Sequence, residues 1–170
     1  MKNSYRIQNP HLLSELRPIA ITPVPSLICE DFVFDWAYHK IKDVIDIQQY
    51  GNMKSSSTTP CLINFLDFVH SHLDKRNISL AVTFVDFKKA FDLVDHTVVL
   101  SKVVQLGLPS HLTAWLADFL SGRQQVVRYQ GTTSFPLPLS CGVPQGTKMG
   151  PLCFLILIND ALTDTPHRWT

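Results

Sequence analysis

Ala81-Val-Thr-Phe-Val-Asp86-Phe-Lys-Lys-Ala-Phe91-Asp92 is the stretch on which the reading of this chain turns. Residues 78–87 are rich in β-branched and aromatic side chains and almost unbroken in hydrophobicity, which predicts a central strand covered on both faces. The run closes on Asp86. A carboxylate at the end of an apolar strand costs free energy unless water, a partner charge or a metal ion compensates it. For a lone aspartate, a solvated edge or a helix cap is the ordinary explanation. The residues after Asp86 argue for more, because the chain turns through Lys88-Lys89 and reaches a second aromatic residue at Phe91.

Downstream, Cys141-Gly-Val-Pro144-Gln145-Gly146-Thr-Lys148-Met-Gly-Pro151-Leu reads as a glycine-punctuated loop entering a very apolar helix, with Pro151 in its first turn. Between the two segments, Asp95 caps a helix that Gly107 ends, with Pro109 just beyond. Ser110 caps the next, with Leu112, Trp115, Leu116, Phe119 and Leu120 inward and Gly122 at its end. Residues 124–129 and 134–139 flank Gly131-Thr-Thr and predict a β-hairpin.

Upstream, residues 17–25 read as an extended segment broken by prolines. From Ile28, apolar residues recur at 28, 32, 33, 36, 37, 41, 44 and 45, the spacing of an amphipathic helix that Gln48-Gln-Tyr-Gly51 ends. Thr59 caps a second helix, with Pro60 at its first position and Leu62, Phe65, Leu66, Val69 and Leu73 on one face. The expected class is α+β, with helices packed on a small antiparallel sheet.

A chain of 170 residues with 45% hydrophobic content can bury a real core. Its net charge of +1 does not announce a nucleic-acid binder, so a basic surface would have to be assembled in three dimensions. Cys29, Cys61, Cys141 and Cys153 show no zinc-site spacing, and with no signal peptide they are expected to be reduced, intracellular thiols. The apolar run at 152–158 is far below the roughly 18 residues that span a bilayer, so no membrane is expected.

Asp86-Phe87-Lys88-Lys89-Ala90-Phe91-Asp92 resembles the Asp-Phe-x-x-Ala-Phe/Tyr-Asp motif of reverse transcriptases, and Pro144-Gln145-Gly146 before Pro151-Leu152 resembles their Pro-Gln-Gly-x-x-x-x-Pro-Leu segment. In this order the two are similar to the palm motifs of the non-LTR retrotransposon type. Trp115-Leu-Ala-Asp-Phe-Leu-Ser-Gly-Arg123-Gln-Gln-Val and Asn159-Asp160 also match, and Leu16-Arg17-Pro18-Ile19 resembles the fingers motif that opens the domain. Many relatives carry a basic residue where this chain has Leu27 and Ser56.

The resemblance implies a right-hand polymerase fingers–palm fragment over residues 16–170, preceded by a patternless segment at 1–15. It gives Asp86 to catalysis and to metal, Phe87 to a backbone carbonyl contact with metal, and Lys89 and Ala90 to backbone contacts with phosphate. Phe91 takes the sugar-gate position, Gln145 and Gly146 lie against nucleotide and template, and Arg17 contacts triphosphate or template. Asp92 is read as structural. The implied cofactor is Mg²⁺ or Mn²⁺, and the implied partners are an RNA template, a DNA primer and a dNTP. The family's Tyr-x-Asp-Asp hairpin is expected just after Trp169, where the sequence ends, so the metal site is expected to need carboxylates from beyond it. A non-catalytic remnant that binds RNA or protein, and a group II intron-type maturase, are the alternative readings.

Overall fold

The computed structural model describes residues 20–161. Along them run α1 (Val24–Ile41), α2 (Thr58–Leu73), α3 (His96–Gln105), α4 (Ser110–Leu120), β1 (Gln124–Gln125), β2 (Arg128–Tyr129), β3 (Thr132–Thr133), β4 (Leu137–Pro138) and α5 (Met149–Ile158). Helix α5 is apolar all round, the pattern of a helix surrounded by protein, and it buries Met149, Gly150, Leu152, Cys153, Leu155 and Ile156. Helices α1 and α3 pack against it, and α4 packs on α3. Their buried stripes join with Val94 and Val143 into one core.

Local signals set the element ends. Asp95 Oδ1 accepts hydrogen bonds from the Thr97 and Val98 backbone N–H groups, at 2.8 and 3.1 Å, which satisfies two otherwise orphaned donors at the start of α3. Gly107, at φ +73°, closes that helix. At the far end of α5, Asn159 accepts from the Asp46 backbone N–H at 2.8 Å and donates to the Val44 carbonyl at 3.3 Å. The exit of α5 is thereby tied to the turn that follows α1.

The predicted hairpin forms: β1 pairs antiparallel with β4 and β2 with β3. Every strand residue is exposed, however. The mixture of helix and antiparallel sheet is as expected, but the helices pack on one another and not on a sheet.

Three further expectations are corrected. Residues 78–87 form no strand; they run without a ladder partner among the described residues, and Phe84 and Val85 are 85% and 75% exposed. Apolar content favours a strand only where neighbours complete its hydrogen bonds and cover its faces. Helix α1 starts earlier than predicted, at Val24 with Pro25 in its first turn, and it buries Glu30, Phe34, Ala37, Tyr38 and Ile41. Ile28, Phe32 and Trp36, predicted inward, are exposed. Helix α2 buries none of its residues against the described chain, and its predicted inward Leu62, Leu66 and Leu73 are exposed. Among the described residues no helix is long and apolar enough to cross a membrane. All four cysteines are free thiols.

Candidate active site

Asp86 and Phe87 stand on the exposed, irregular segment, immediately before a tight turn over residues 88–93. Lys89 takes a left-handed conformation, φ +55°, and its carbonyl accepts from the Asp92 and Leu93 N–H groups at 3.0 and 3.1 Å. A lysine at positive φ is uncommon and carries some strain. Here the turn swings Phe91 back onto the helical core. Its ring lies 5.3 Å from that of Phe154 on α5, and the Phe87 ring meets the same Phe154 edge-on at 6.0 Å. Phe91 is half-buried. A cleft of about 390 Å³ opens beside this turn, lined in part by Phe87, Lys88, Ala90 and Phe154. Lys102 and Asp160 also line it and pair with each other, which holds the Asp160 carboxyl below its usual range.

The loop before α5 is bonded to this turn along its length. The Gly142 N–H donates to the Val94 carbonyl and the Val143 N–H to the Phe91 carbonyl, each at 2.8 Å. Gln145 Nε2 donates to Asp92 Oδ1 at 3.1 Å, and Cys141 Sγ to the Asp92 carbonyl at 3.5 Å. His96 Nε2 lies 2.7 Å from the Gly142 carbonyl; since a carbonyl only accepts, that nitrogen carries the proton. Gly142 sits at φ +84°, and a Cβ there would come within 2.6 Å of the Asp92 carbonyl oxygen, so no larger residue fits. Gly146, at φ +95°, is different. Among the described residues only the Ala20 carbonyl comes within 4 Å of where its Cβ would stand, at 3.9 Å.

The structure thus brings Lys89, Ala90 and Phe91 together with Gln145 through direct backbone and side-chain bonds between their two segments. Arg17 lies outside the described residues. Among the described residues no three His, Cys, Asp or Glu side chains gather into a metal site. Asp86 and the Phe87 carbonyl are nonetheless hard oxygen donors on an exposed segment, the donor chemistry of a Mg²⁺ or Mn²⁺ ligand. Glu30, His96, Cys141, Gly142 and Thr147 are absent from the sequence reading of the site. Cys141, Gly142 and Thr147 lie in the glycine-punctuated segment that the sequence singles out, and Glu30 falls in helical register with Phe34, Ala37 and Ile41.

The reverse transcriptase (RNA-dependent DNA polymerase) family model matches residues 7–169. The chain is 28% identical over 162 residues to the RNA-directed DNA polymerase from mobile element jockey of Drosophila melanogaster, covering 94% of this chain and 17% of that protein. It is 30% identical over 117 residues to the "Probable RNA-directed DNA polymerase from transposon BS" of the same species, covering 69% of this chain and 13% of that protein. A 77-residue stretch is 40% identical to the 115 kDa protein of the Drosophila type-1 retrotransposable element R1DM, covering 45% of this chain and 7% of that protein. The chain therefore spans under a fifth of the length of these relatives. It belongs to the reverse transcriptase family, in the branch carried by non-LTR retrotransposons.

Proposed function

We propose that this chain carries the Asp86 portion of a retroelement polymerase centre, which in the complete protein transfers deoxynucleotides to a primer 3′-hydroxyl under direction of an RNA template. The observation that supports this most is the bonding of the 86–94 segment to the 141–147 loop. Nucleotidyl transfer needs a carboxylate and a closely approachable backbone on one surface, because most of its rate comes from positioning and charge stabilisation. Residues 16–170 make up the domain segment, with α1 and α2 as fingers and the remainder as palm.

In this reading Asp86 is the catalytic carboxylate and, with the Phe87 carbonyl, holds Mg²⁺ or Mn²⁺. Such an ion, when bound, offsets charge on the attacking and leaving oxygens. The chain's own residues place the substrate. The Lys89 and Ala90 backbone meets the phosphates at the turn, and Phe91 stands under the ribose. Gln145, anchored by Asp92, and Gly146, uncrowded among the described residues, face the base and the template. Arg17 adds a contact to triphosphate or template. RNA-templated dNTP incorporation by the complete polymerase, and its loss on Asp86→Asn, tests the reading.

A further inference from the structure

Gly142 stands near the start of the loop that carries Gln145 and Gly146, and both of its backbone polar groups are used. Its N–H donates to the Val94 carbonyl at 2.8 Å, and its carbonyl accepts from His96 Nε2 at 2.7 Å. Gly142 is buried, so leaving either group without a partner would be costly. The two partners flank Asp95, the cap of α3. One residue of the loop is therefore held from both sides by the start of a core helix.

The His96 bond differs from the others along this loop. Cys141, Val143 and Gln145 bond to Phe91 and Asp92, residues of the turn itself. His96 belongs to α3, which buries Val99 and Val103 and packs on α5. It ties the loop to the helical core independently of the turn. At the other end Thr147 closes the loop on α5. Its hydroxyl donates to the Pro144 carbonyl at 3.1 Å and accepts from the Gly150 N–H at 3.3 Å. Residues 144–146 thus stand between two anchors. Helix formation does not ask for a histidine at 96. Asp95 already caps the Thr97 and Val98 N–H groups, and a basic side chain in the first turn opposes the helix dipole. What the imidazole supplies is an N–H that reaches across 46 residues of chain to the loop.

We infer that His96 is a positioning residue for the nucleotide-facing turn at 144–146, acting through the Gly142 carbonyl. The inference rests on the reading of Gln145 and Gly146 as nucleotide-facing. It makes the start of α3, which lies outside both sequence motifs, part of the apparatus that sets how tightly an incoming dNTP is held.

The test uses the complete polymerase with an RNA template and a DNA primer. His96→Phe keeps a ring and loses the donor, His96→Asn carries an amide too short to reach, and His96→Gln can present an N–H at the same distance. Val103→Ala, on the buried face of the same helix, is the control for lost stability. Lost stability shrinks the folded fraction and so lowers the apparent kcat, whereas a misplaced binding turn raises KM. His96→Phe and His96→Asn are expected to raise KM for dNTP on the order of tenfold, the scale of one buried acceptor left unpaired. His96→Gln restores most of that. In a Gln145→Ala background, where KM is already raised, His96→Phe adds little further. Amide exchange at Gly142 and Val143 is expected to quicken in His96→Phe and not in Val103→Ala. If His96→Phe does not fold, His96→Asn and His96→Gln carry the same comparison against the control. A KM in His96→Phe and His96→Asn equal to that of Val103→Ala, while Gln145→Ala raises it, overturns the proposal. An unchanged KM in Gln145→Ala overturns instead the nucleotide-facing reading beneath it.

Discussion

Gln145 Nε2 donates to Asp92 Oδ1 at 3.1 Å, across 53 residues of chain. The bond joins the end of the Asp86 turn to the glycine-rich loop, and it gives Asp92 a role as an anchor for Gln145. A hydrogen bond to a carboxylate of this kind, at an exposed site, is worth about 0.5–1.5 kcal/mol. We expect Asp92→Ala and Gln145→Ala each to lower kcat/KM for dNTP in the complete polymerase, and their double variant to fall short of the sum by about that energy. A double-mutant cycle on primer extension checks this. Additive losses would show that the two side chains act separately.

Gly142 and Gly131 offer a matched comparison. Both have positive φ, +84° and +81°, but among the described residues only Gly142 has a neighbour within 4 Å, the Asp92 carbonyl oxygen at 2.6 Å from a built Cβ. Gly131→Ala is expected to cost about 1 kcal/mol or somewhat more from backbone conformation alone. Gly142→Ala adds a backbone clash and is expected to cost at least about 2 kcal/mol beyond that, because the loop must lift away from Asp92. Thermal or urea unfolding of the two variants measures the difference. Equal losses would mean that the loop does not sit against the turn.

The sites of close contact are harder to read from the sequence than the helices that frame them. Asp95, Gly107 and Pro151 mark helix ends by local chemistry, and the structure has helices ending there. The hairpin around Gly131 is local in the same way. The face of α1 is not, since that helix carries apolar residues on nearly every side. Periodicity selects Ile28, Phe32 and Trp36 together with Ala37, Ile41 and Ile45; the core takes the last three, adds Phe34 and Tyr38, and leaves the first three exposed. Whether residues 78–87 make a strand depends on partners distant in sequence, which hydrophobicity cannot supply. The bonds between Asp92 and Gln145 and between His96 and Gly142 are non-local as well, so the motifs are legible but the contacts between them are not.

Phe91 is half-buried against Phe154, so its truncation will cost stability whatever its role at the sugar. Phe91→Val is expected to lower the melting temperature and also to raise the ratio of rNTP to dNTP kcat/KM, because removal of the ring admits a 2′-hydroxyl. Steady-state incorporation of both nucleotides, with a melting curve for each protein, separates the roles. A lower melting temperature with an unchanged ratio would leave Phe91 as a packing residue only.

Burial pushes the Glu30 carboxyl above its ordinary value, against the opposing pull of Thr147, the Met149 N–H and Arg123, with Asp31 adding to the rise. Cys153 also faces it, its own thiol pushed up to about 12 by burial and by Glu30. The folded state therefore holds the Glu30 proton more tightly than the unfolded chain does. Its contribution to stability is complete below the unfolded value of 4.5 and is lost as pH rises through the raised folded value. Asp160, lowered by Lys102, acts on the other side: its contribution is present above 3.8 and is lost as pH falls through its lowered value. In Glu30→Gln the fall in melting temperature above about pH 4.5 should flatten, while the acid limb stays. A wild-type slope retained in Glu30→Gln would assign that limb to another group.

The most direct measurement is RNA-templated dNTP incorporation by the complete polymerase, on an oligo(dT)-primed poly(rA) template with Mg²⁺, comparing wild type, Asp86→Asn and Asp118→Asn. Asp118 is an exposed residue of α4 and serves as the control for loss of a carboxylate as such. Asp86→Asn is expected to lower kcat by roughly a hundredfold or more, the scale of removing one group that stabilises transition-state charge. Its melting temperature should hold, because the exposed segment carries little packing, and Asp118→Asn should match wild type. Incorporation by Asp86→Asn within about twofold of wild type would contradict the assignment of Asp86 as the catalytic carboxylate, and with it the account of this chain as part of a polymerase centre.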